Sequence, residues 1–323
     1  MDIIETPARS PVDWPGLDGV PERRFRLLAV GDVRIEVRAL LPDLRFTELT
    51  SDRLAYAPAR ALVAGTAVNL ARRAAGYFRD VGVLARIGDD DFTHVIRREL
   101  RRLGLRDLLR VEPGMPNGVT MMLRDGSEAG GRGVRLLVAE EDSANRLLSE
   151  RDVRDAAAEI RGADVLSVDG YALLSPVSRA ALLRAAEIAR LSGTLVAFDL
   201  VPHDIDARLP APEVIPMLRL ADVVISEAPT IARLLGRPAT MVGSAEVREL
   251  IPALDEAVPA PARPLWLLRF GPGSLEYVLA HRRGGPLLEY PTGYGEGVER
   301  IGFGDRLAAG ELFWWSATRR APG

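Results

Sequence analysis

From residue 149 onward, short apolar runs alternate with longer stretches at helical spacing, and this alternation constrains the fold more than any other feature of the chain. The strand-like runs are Asp164–Val168, Thr194–Asp199, Asp222–Ser226 and Leu265–Phe270, with Leu275–Ala280 as an added hairpin strand. The helix candidates are 150–161, 176–191, 228–235, 244–255 and 305–318. Such alternation predicts an α/β fold whose sheet is mainly parallel and covered by helices on both faces.

The first half begins with a strand, Phe25–Val30, that ends at Gly31-Asp32. A glycine turn at Gly65 then leads into an alanine-rich helix. A strand from Val81 to Ile87 follows, then Gly88-Asp89-Asp90-Asp91-Phe92 and a helix closing at Leu103-Gly104-Leu105. Two β-rich segments, about 33–63 and 115–138, interrupt the alternation and are expected to form a separate small sheet. Placed beside the C-terminal ends of the parallel strands, that sheet would suit a lid. Residues 1–24, rich in proline and charge, read as an extended N-terminal arm, with the domain itself running over 25–323.

The absences are informative about chemistry. With no cysteine, disulfides, thiolate nucleophiles and cysteine-held metals are excluded. No lysine is present either: all 42 basic side chains other than histidine are arginine. This removes Schiff-base chemistry and the P-loop lysine, so any phosphate must be held by arginine, backbone N–H groups or a metal. The net charge of −3 gives no basic footprint for nucleic acid. No apolar run is long enough to span a membrane, and the acidic start is unlike a signal peptide, so a cytoplasmic protein is the expectation. His94, His203 and His281 show no metal-ligand spacing. The first strand ends in Gly31-Asp32-Val33-Arg34-Ile35-Glu36 rather than Gly-x-Gly-x-x-Gly, which argues against a dinucleotide site.

Near the C-terminus, Gly302-Phe303-Gly304-Asp305 precedes a small and apolar run at helical spacing. Glycines let backbone N–H groups face a ligand, and a helix N-terminus adds partial positive charge, so this turn suits an anion. Asp305, in the first turn, is placed to take a proton from a hydroxyl beside that anion. The plainer alternative is a tight turn with Asp305 as a helix cap.

These motifs, taken in order, resemble the ribokinase-like (PfkB) family of carbohydrate and nucleoside kinases. Gly65 through Asn69 resembles its Gly-Gly-x-x-x-Asn segment, Gly88 through Phe92 its Gly-Asp-Asp-x-Phe turn, and Ser143-Ala144-Asn145 its Gly-Ala-Asn. Phe270-Gly271-Pro272-Gly273-Ser274 is similar to its nucleotide-side Gly-x-x-Gly loop, and Gly302–Asp305 to its Gly-Ala-Gly-Asp signature. The resemblance implies a three-layer αβα sandwich with a small β lid, and transfer of the ATP γ-phosphoryl group to a hydroxyl of a sugar, nucleoside or related polyol. It implies Asp305 as general base and an anion hole over Gly302, Phe303, Gly304 and Asp305. It also implies substrate contacts from Asp32, Glu36, Gly65, Asn69 and Asn145, and a nucleotide side at Ser226, Gly271 and Gly273, where Arg300 or Arg269 would supply phosphate charge because a guanidinium suits phosphate oxygens. Mg²⁺ would be held by Glu227, Asp199 or water, and the exposed face of the lid sheet implies homodimerisation through it.

The chain departs from the family pattern mainly on the nucleotide side. Ser226 and Pro229 stand where Asn-x-x-Glu is usual, although Glu227 is adjacent. Ala64 replaces the first glycine of the substrate segment, and Arg300-Ile301 replace the usual threonines. Asp199-Leu200-Val201 lacks the asparagine usual two residues after that aspartate. The chain ends at Gly323, one helix after the signature, where family members usually continue with a further helix that helps wall the adenine. Two alternatives to a kinase therefore stay open: an impaired relative that binds a sugar- or nucleotide-like ligand without phosphorylating it, and an enzyme repurposed for other chemistry on Asp305.

Overall fold

The computed structural model describes residues 23–41, 44–51, 54–125, 135–139, 142–201, 205–296, 298, 300 and 302–319. The expected N-terminal arm lies outside the described residues except for Arg23 and Arg24. The strands are β1 Arg26–Val30, β2 Arg34–Leu41, β3 Ala59–Ala64, β4 Asp80–Leu84, β5 Arg86–Ile87, β6 Arg106–Asp107, β7 Arg110–Val111, β8 Val119–Asp125, β9 Arg135–Ala139, β10 Val165–Asp169, β11 Leu195–Asp199, β12 Val223–Glu227, β13 Leu265–Phe270, β14 Tyr277–His281 and β15 Leu288–Pro291.

Nine strands form the main sheet in the order β15-β14-β13-β12-β11-β10-β1-β4-β6. From β13 to β6 every pairing is parallel, and the β13-β14-β15 edge is antiparallel. Period-two alternation sends Leu27 and Ala29 into one core and Leu28 and Val30 into the other. Both faces are covered, so β10 and β13 are buried along their whole length. One face carries the helices Thr66–Ala74 and Phe303–Arg319, which pack on each other, and Ala67, Ala71, Ala308 and Ala309 are buried in the core on that face. The helices Pro176–Ser192 and Ala211–Leu220 cover the other. This is the three-layer αβα sandwich.

The segments near 33–63 and 115–138 supply the four-stranded sheet β3-β2-β8-β9. It leaves the main sheet at the C-terminal end of β1 and returns at Gly65, so it stands at the C-terminal edge of the parallel strands as a small β lid. The cross-strand register places Val37, Met121 and Val138 on one face with Ala39, Leu123 and Leu136. Met121, Leu136 and Val138 on that face are exposed at 45%, 47% and 42%.

Several elements differ from the sequence-based expectation for local reasons. The helix expected over 150–161 divides at Ala156 into Glu150–Asp155 and Ala157–Gly162. The one expected over 244–255 divides into Ser244–Arg248 and Ile251–Ala257, the second opening with Pro252 in its first turn. The strand expected from Val81 to Ile87 breaks because β4 pairs within the main sheet and β5 turns away to pair with β7. Ala211–Leu220, absent from the helix candidates, is helical although it carries Pro212 in its first turn and Pro216 inside. No helix among the described residues is long and apolar enough to cross a membrane.

Candidate active site

A cleft opens at the C-terminal ends of β1, β10 and β11, where an open α/β sheet places its ligands. Asp169, Asp199, Asp305, Thr66 and Leu70 line it. Three carboxylates from distant parts of the chain thus face one small space.

Asp305 sits in the first turn of the helix Phe303–Arg319, behind the Gly302 turn, whose φ of 74° favours glycine. Its carboxyl is pushed up to about 6, first by burial and then by the nearby charge of Asp199, with Arg269, Arg73 and Arg72 pulling the other way. A general base near neutral pH is what such a value provides. A Cβ on Gly302 would lie 3.3 Å from Nη2 of Arg73, and one on Gly304 would lie 3.0 Å from Nη1 of Arg269. Each glycine of the turn leaves room for an arginine guanidinium.

Asp199 ends β11 and accepts the N–H of Val201 at 3.0 Å, which holds Val201 in the left-handed region at φ 42°. Burial raises the Asp199 carboxyl against the pull of Arg269. Arg269 is 5% exposed, and its Nη2 reaches Glu311, itself fully buried, at 3.3 Å. Burial lifts Glu311 to about 7, with Arg269 and the hydroxyl of Tyr290, which donates to it at 3.2 Å, opposing. A buried Arg269–Glu311–Tyr290 network therefore lies under the Gly302–Asp305 turn.

At the lid root, Asp32 is tied on every side. Its N–H donates to Asp169 Oδ2 at 3.0 Å, Asn145 Nδ2 donates to its Oδ1, and Arg34 Nε donates to its Oδ2, both at 2.5 Å. Arg34 also donates to Thr120 Oγ1 at 2.6 Å, and Ser143 to Asn145 Oδ1. Burial, then the charge of Asp32, pushes Asp169 up to about 6. The glycines here are steric necessities: a Cβ on Gly31 would meet Asp169 Oδ2 at 1.7 Å, and one on Gly118 would meet Asn145 Oδ1 at 2.5 Å. Gly65, at φ 99°, puts its own missing Cβ 2.3 Å from the backbone oxygen of Asp32. Gly65→Ala is accordingly expected to lose about 1–3 kcal/mol from backbone strain alone. It would also push Asp32 off its partners; a melting temperature and ligand affinity equal to wild type would contradict this.

The remaining sequence-expected residues fall into three groups. Asn69 is close to this region, with its Oδ1 accepting from Arg72 at 3.2 Å. Glu36 is on the lid strand β2 and pairs with Arg38. The nucleotide-side residues form their own contact set. Arg300 bridges Glu227, at 3.2 Å, and the Gly273 carbonyl. Ser226 donates to the Glu227 carbonyl at 2.9 Å. In the loop from Gly271 to Leu275, the N–H groups of Gly273 (2.8 Å) and Leu275 (3.1 Å) converge on the carboxylate of Glu276. The loop is built for an anion and holds one of its own. Asp169, Arg73, Glu276, Glu311 and Tyr290 escaped the sequence reading. The available signals were an acid ending an apolar strand, for Asp169, and an acid inside an apolar helical run, for Glu311.

A family model described as pfkB family carbohydrate kinase matches residues 28–261, ending before the Gly302–Asp305 turn. A 5-dehydro-2-deoxygluconokinase from Listeria monocytogenes is 25% identical over 182 residues, 55% of this chain and 52% of that protein, so the similarity spans about half the length of that relative. Among solved structures, the ribokinase from Giardia lamblia superposes with a TM-score of 0.73 at 16% identity, covering 93% of this chain and 85% of that one. The adenosine kinase from Sinorhizobium meliloti gives 0.71 at 18% identity, with coverage of 91% and 88%. The Arabidopsis thaliana ribokinase complexed with ribose and ATP gives 0.70 at 16% identity, with 91% and 86%. At these identities the superpositions establish a shared fold.

Proposed function

The chain belongs to the pfkB family of carbohydrate kinases, and from that premise we propose that it transfers the γ-phosphoryl group of ATP to a hydroxyl of a sugar, nucleoside or related polyol. The observation that carries the proposal is Asp305: a carboxylate near pH 6, in the first turn of a long helix behind a glycine turn, facing the sheet's C-terminal cleft. In the step, the acceptor hydroxyl gives its proton to the Asp305 carboxylate and its oxygen forms a bond to the γ-phosphorus. The bond from that phosphorus to the β–γ bridging oxygen breaks, and its electron pair leaves with ADP. The N–H groups of Gly304 and Asp305 are the donors available to the charge that develops on the moving group, while that of Phe303, expected to join them, donates to the Arg300 carbonyl at 3.1 Å.

The acceptor side rests on Asp32, Gly65, Asn69 and Asn145, with Glu36 on the lid strand above. On the nucleotide side, no group of three or more His, Asp or Glu side chains among the described residues is gathered for a metal. The donor set therefore fits Mg²⁺ as an ion carried mainly by phosphates and water, with Glu227 and Asp199 the available carboxylates. When bound, Mg²⁺ would supply charge neutralisation on the phosphate oxygens. Arg300 already sits on Glu227, and so shares that task. The apolar outer face of the lid sheet, with Met121, Leu136 and Val138, supports a homodimer through the lid.

The pH dependence follows from the base. Asp305 must be ionised to accept the proton, so kcat/KM is expected to be flat above about pH 7 and to fall tenfold per pH unit below about 6. A profile flat down to pH 4.5 would remove Asp305 from the role. Nucleotide binding is the direct test of the nucleotide side. ATP with Mg²⁺ is expected to raise the melting temperature in a concentration-dependent manner. If it has no effect, Glu276 in the glycine loop and Arg300 on Glu227 mark a closed nucleotide side, and a ligand-binding protein without kinase activity is the reading that stands.

A further inference from the structure

We infer that Arg73 contacts the transferring phosphoryl group and stabilises its charge in the transition state, an assignment that rests on the kinase reading above. Arg72 and Arg73 are neighbours on the helix Thr66–Ala74, yet they live differently. Arg72 donates to the Val63 carbonyl at 2.7 Å and to Asn69 Oδ1 at 3.2 Å, and pairs with Glu99 at 3.5 Å, so it knits the helix to the lid root and to the next helix. Arg73 is half-buried, and its side chain makes no hydrogen bond or ion pair among the described residues.

Its position gives that lone cation a purpose. Nη2 of Arg73 lies 3.3 Å from where a Gly302 Cβ would stand, and Oδ2 of Asp305 lies 4.0 Å from the same point. The guanidinium and the base thus border one glycine of the turn without pairing, although Arg73 is near enough to pull on the Asp305 proton. On the far side of the turn, Arg269 is 5% exposed, places Nη1 3.0 Å from the Gly304 Cβ position, and keeps a buried Nε with no hydrogen-bond partner. Two guanidiniums therefore flank the N–H groups of a helix N-terminus, with unused donors on both. Such an arrangement is costly to assemble beside Arg72 unless an anion with several oxygens enters it. A phosphoryl group in transfer is that anion: three equatorial oxygens carry its charge, and a planar guanidinium suits two of them. The chain has no lysine to share the task, and Pro229 removes the acid expected on the nucleotide side, so arginine must carry more of the neutralisation here.

The test compares Arg73→Met and Arg73→Lys with wild type, by turnover with ATP and by calorimetric titration of AMP-PNP and of ADP. Arg73→Met is expected to lower kcat by about 10²–10³ with little change in acceptor KM. It is also expected to weaken AMP-PNP about tenfold or more relative to ADP, because only the triphosphate analogue reaches the turn. Arg73→Lys keeps the stem and charge, secures the fold, and should recover part of both losses. An Arg73→Met enzyme with wild-type kcat and an unchanged AMP-PNP to ADP ratio would overturn the assignment and leave the kinase reading in place. A wild-type protein that binds neither nucleotide would overturn both.

Discussion

Asp305→Asn is expected to lower kcat by about 10²–10⁴ while leaving acceptor affinity nearly unchanged. The amide keeps the size of the carboxyl group but has no basic oxygen, and the acceptor contacts proposed above come from other residues, Asp32, Asn145 and the segment from Gly65 to Asn69. The same substitution should stabilise the fold at alkaline pH. Burial raises the folded-state carboxyl to about 6 from an ordinary value of 3.8, so the folded protein binds this proton more tightly than the unfolded chain. That contribution is complete below about pH 4 and is lost as pH rises through 6. At pH 8 the ionised form costs roughly 1–3 kcal/mol, which the amide does not incur. The variant should therefore melt higher than wild type at pH 8 and alike at pH 4. Equal turnover would remove the base; lower stability at pH 8 would mean the carboxylate is held by contacts stronger than its burial penalty.

Arg269→Met should be the most destabilising single change in the site. Arg269 is the buried cation among Glu311, Asp199 and Asp305, and all three carboxyls are pulled down by it against their burial. Removing one member of such a buried set costs about 3–5 kcal/mol because the remaining charges are left uncompensated. Here the cost should depend on pH. Carboxyls already raised to about 6 and 7 rise further without the cation, so they are neutral at pH 5, whereas at pH 8 the folded chain must either bury their charge or take up protons that the unfolded chain does not bind. Denaturant unfolding at pH 8 should show the full loss, and at pH 5 much less. Adding Glu311→Leu should restore part of the stability at pH 8, since it removes one stranded acid. A loss independent of pH would show that the network is held by packing rather than charge.

The parallel sheet was legible because its strands are short apolar runs bounded by helical spacing, as in β10 through β13. The lid was legible from the places where that alternation fails, and the turn before Asp305 from its two glycines. What was hidden lies in pairing at long range. Nothing near Asp32 in sequence announces Asn145, 113 residues away, or Asp169, 137 residues away. The division of labour between Arg72 and Arg73 depends on Val63 and Glu99 reaching one and not the other. The family resemblance marked the loop at Gly271–Gly273 for the nucleotide side, but nothing in it announced that the Glu276 carboxylate takes up the loop's N–H groups. Proline content concealed the helix Ala211–Leu220, whose tolerance of Pro216 depends on packing against the sheet through Val214, Met217 and Leu218.

Direct transfer of phosphate is the decisive measurement. Wild type and Asp305→Asn, each with γ-labelled ATP and Mg²⁺, would be incubated with a panel of sugars, nucleosides and related polyols at pH 7.5, following label from ATP to acceptor. The account predicts labelled product from wild type with one acceptor class, and a rate lower by about 10²–10⁴ from Asp305→Asn. No transfer by wild type to any acceptor, or equal transfer by the two proteins, would contradict it.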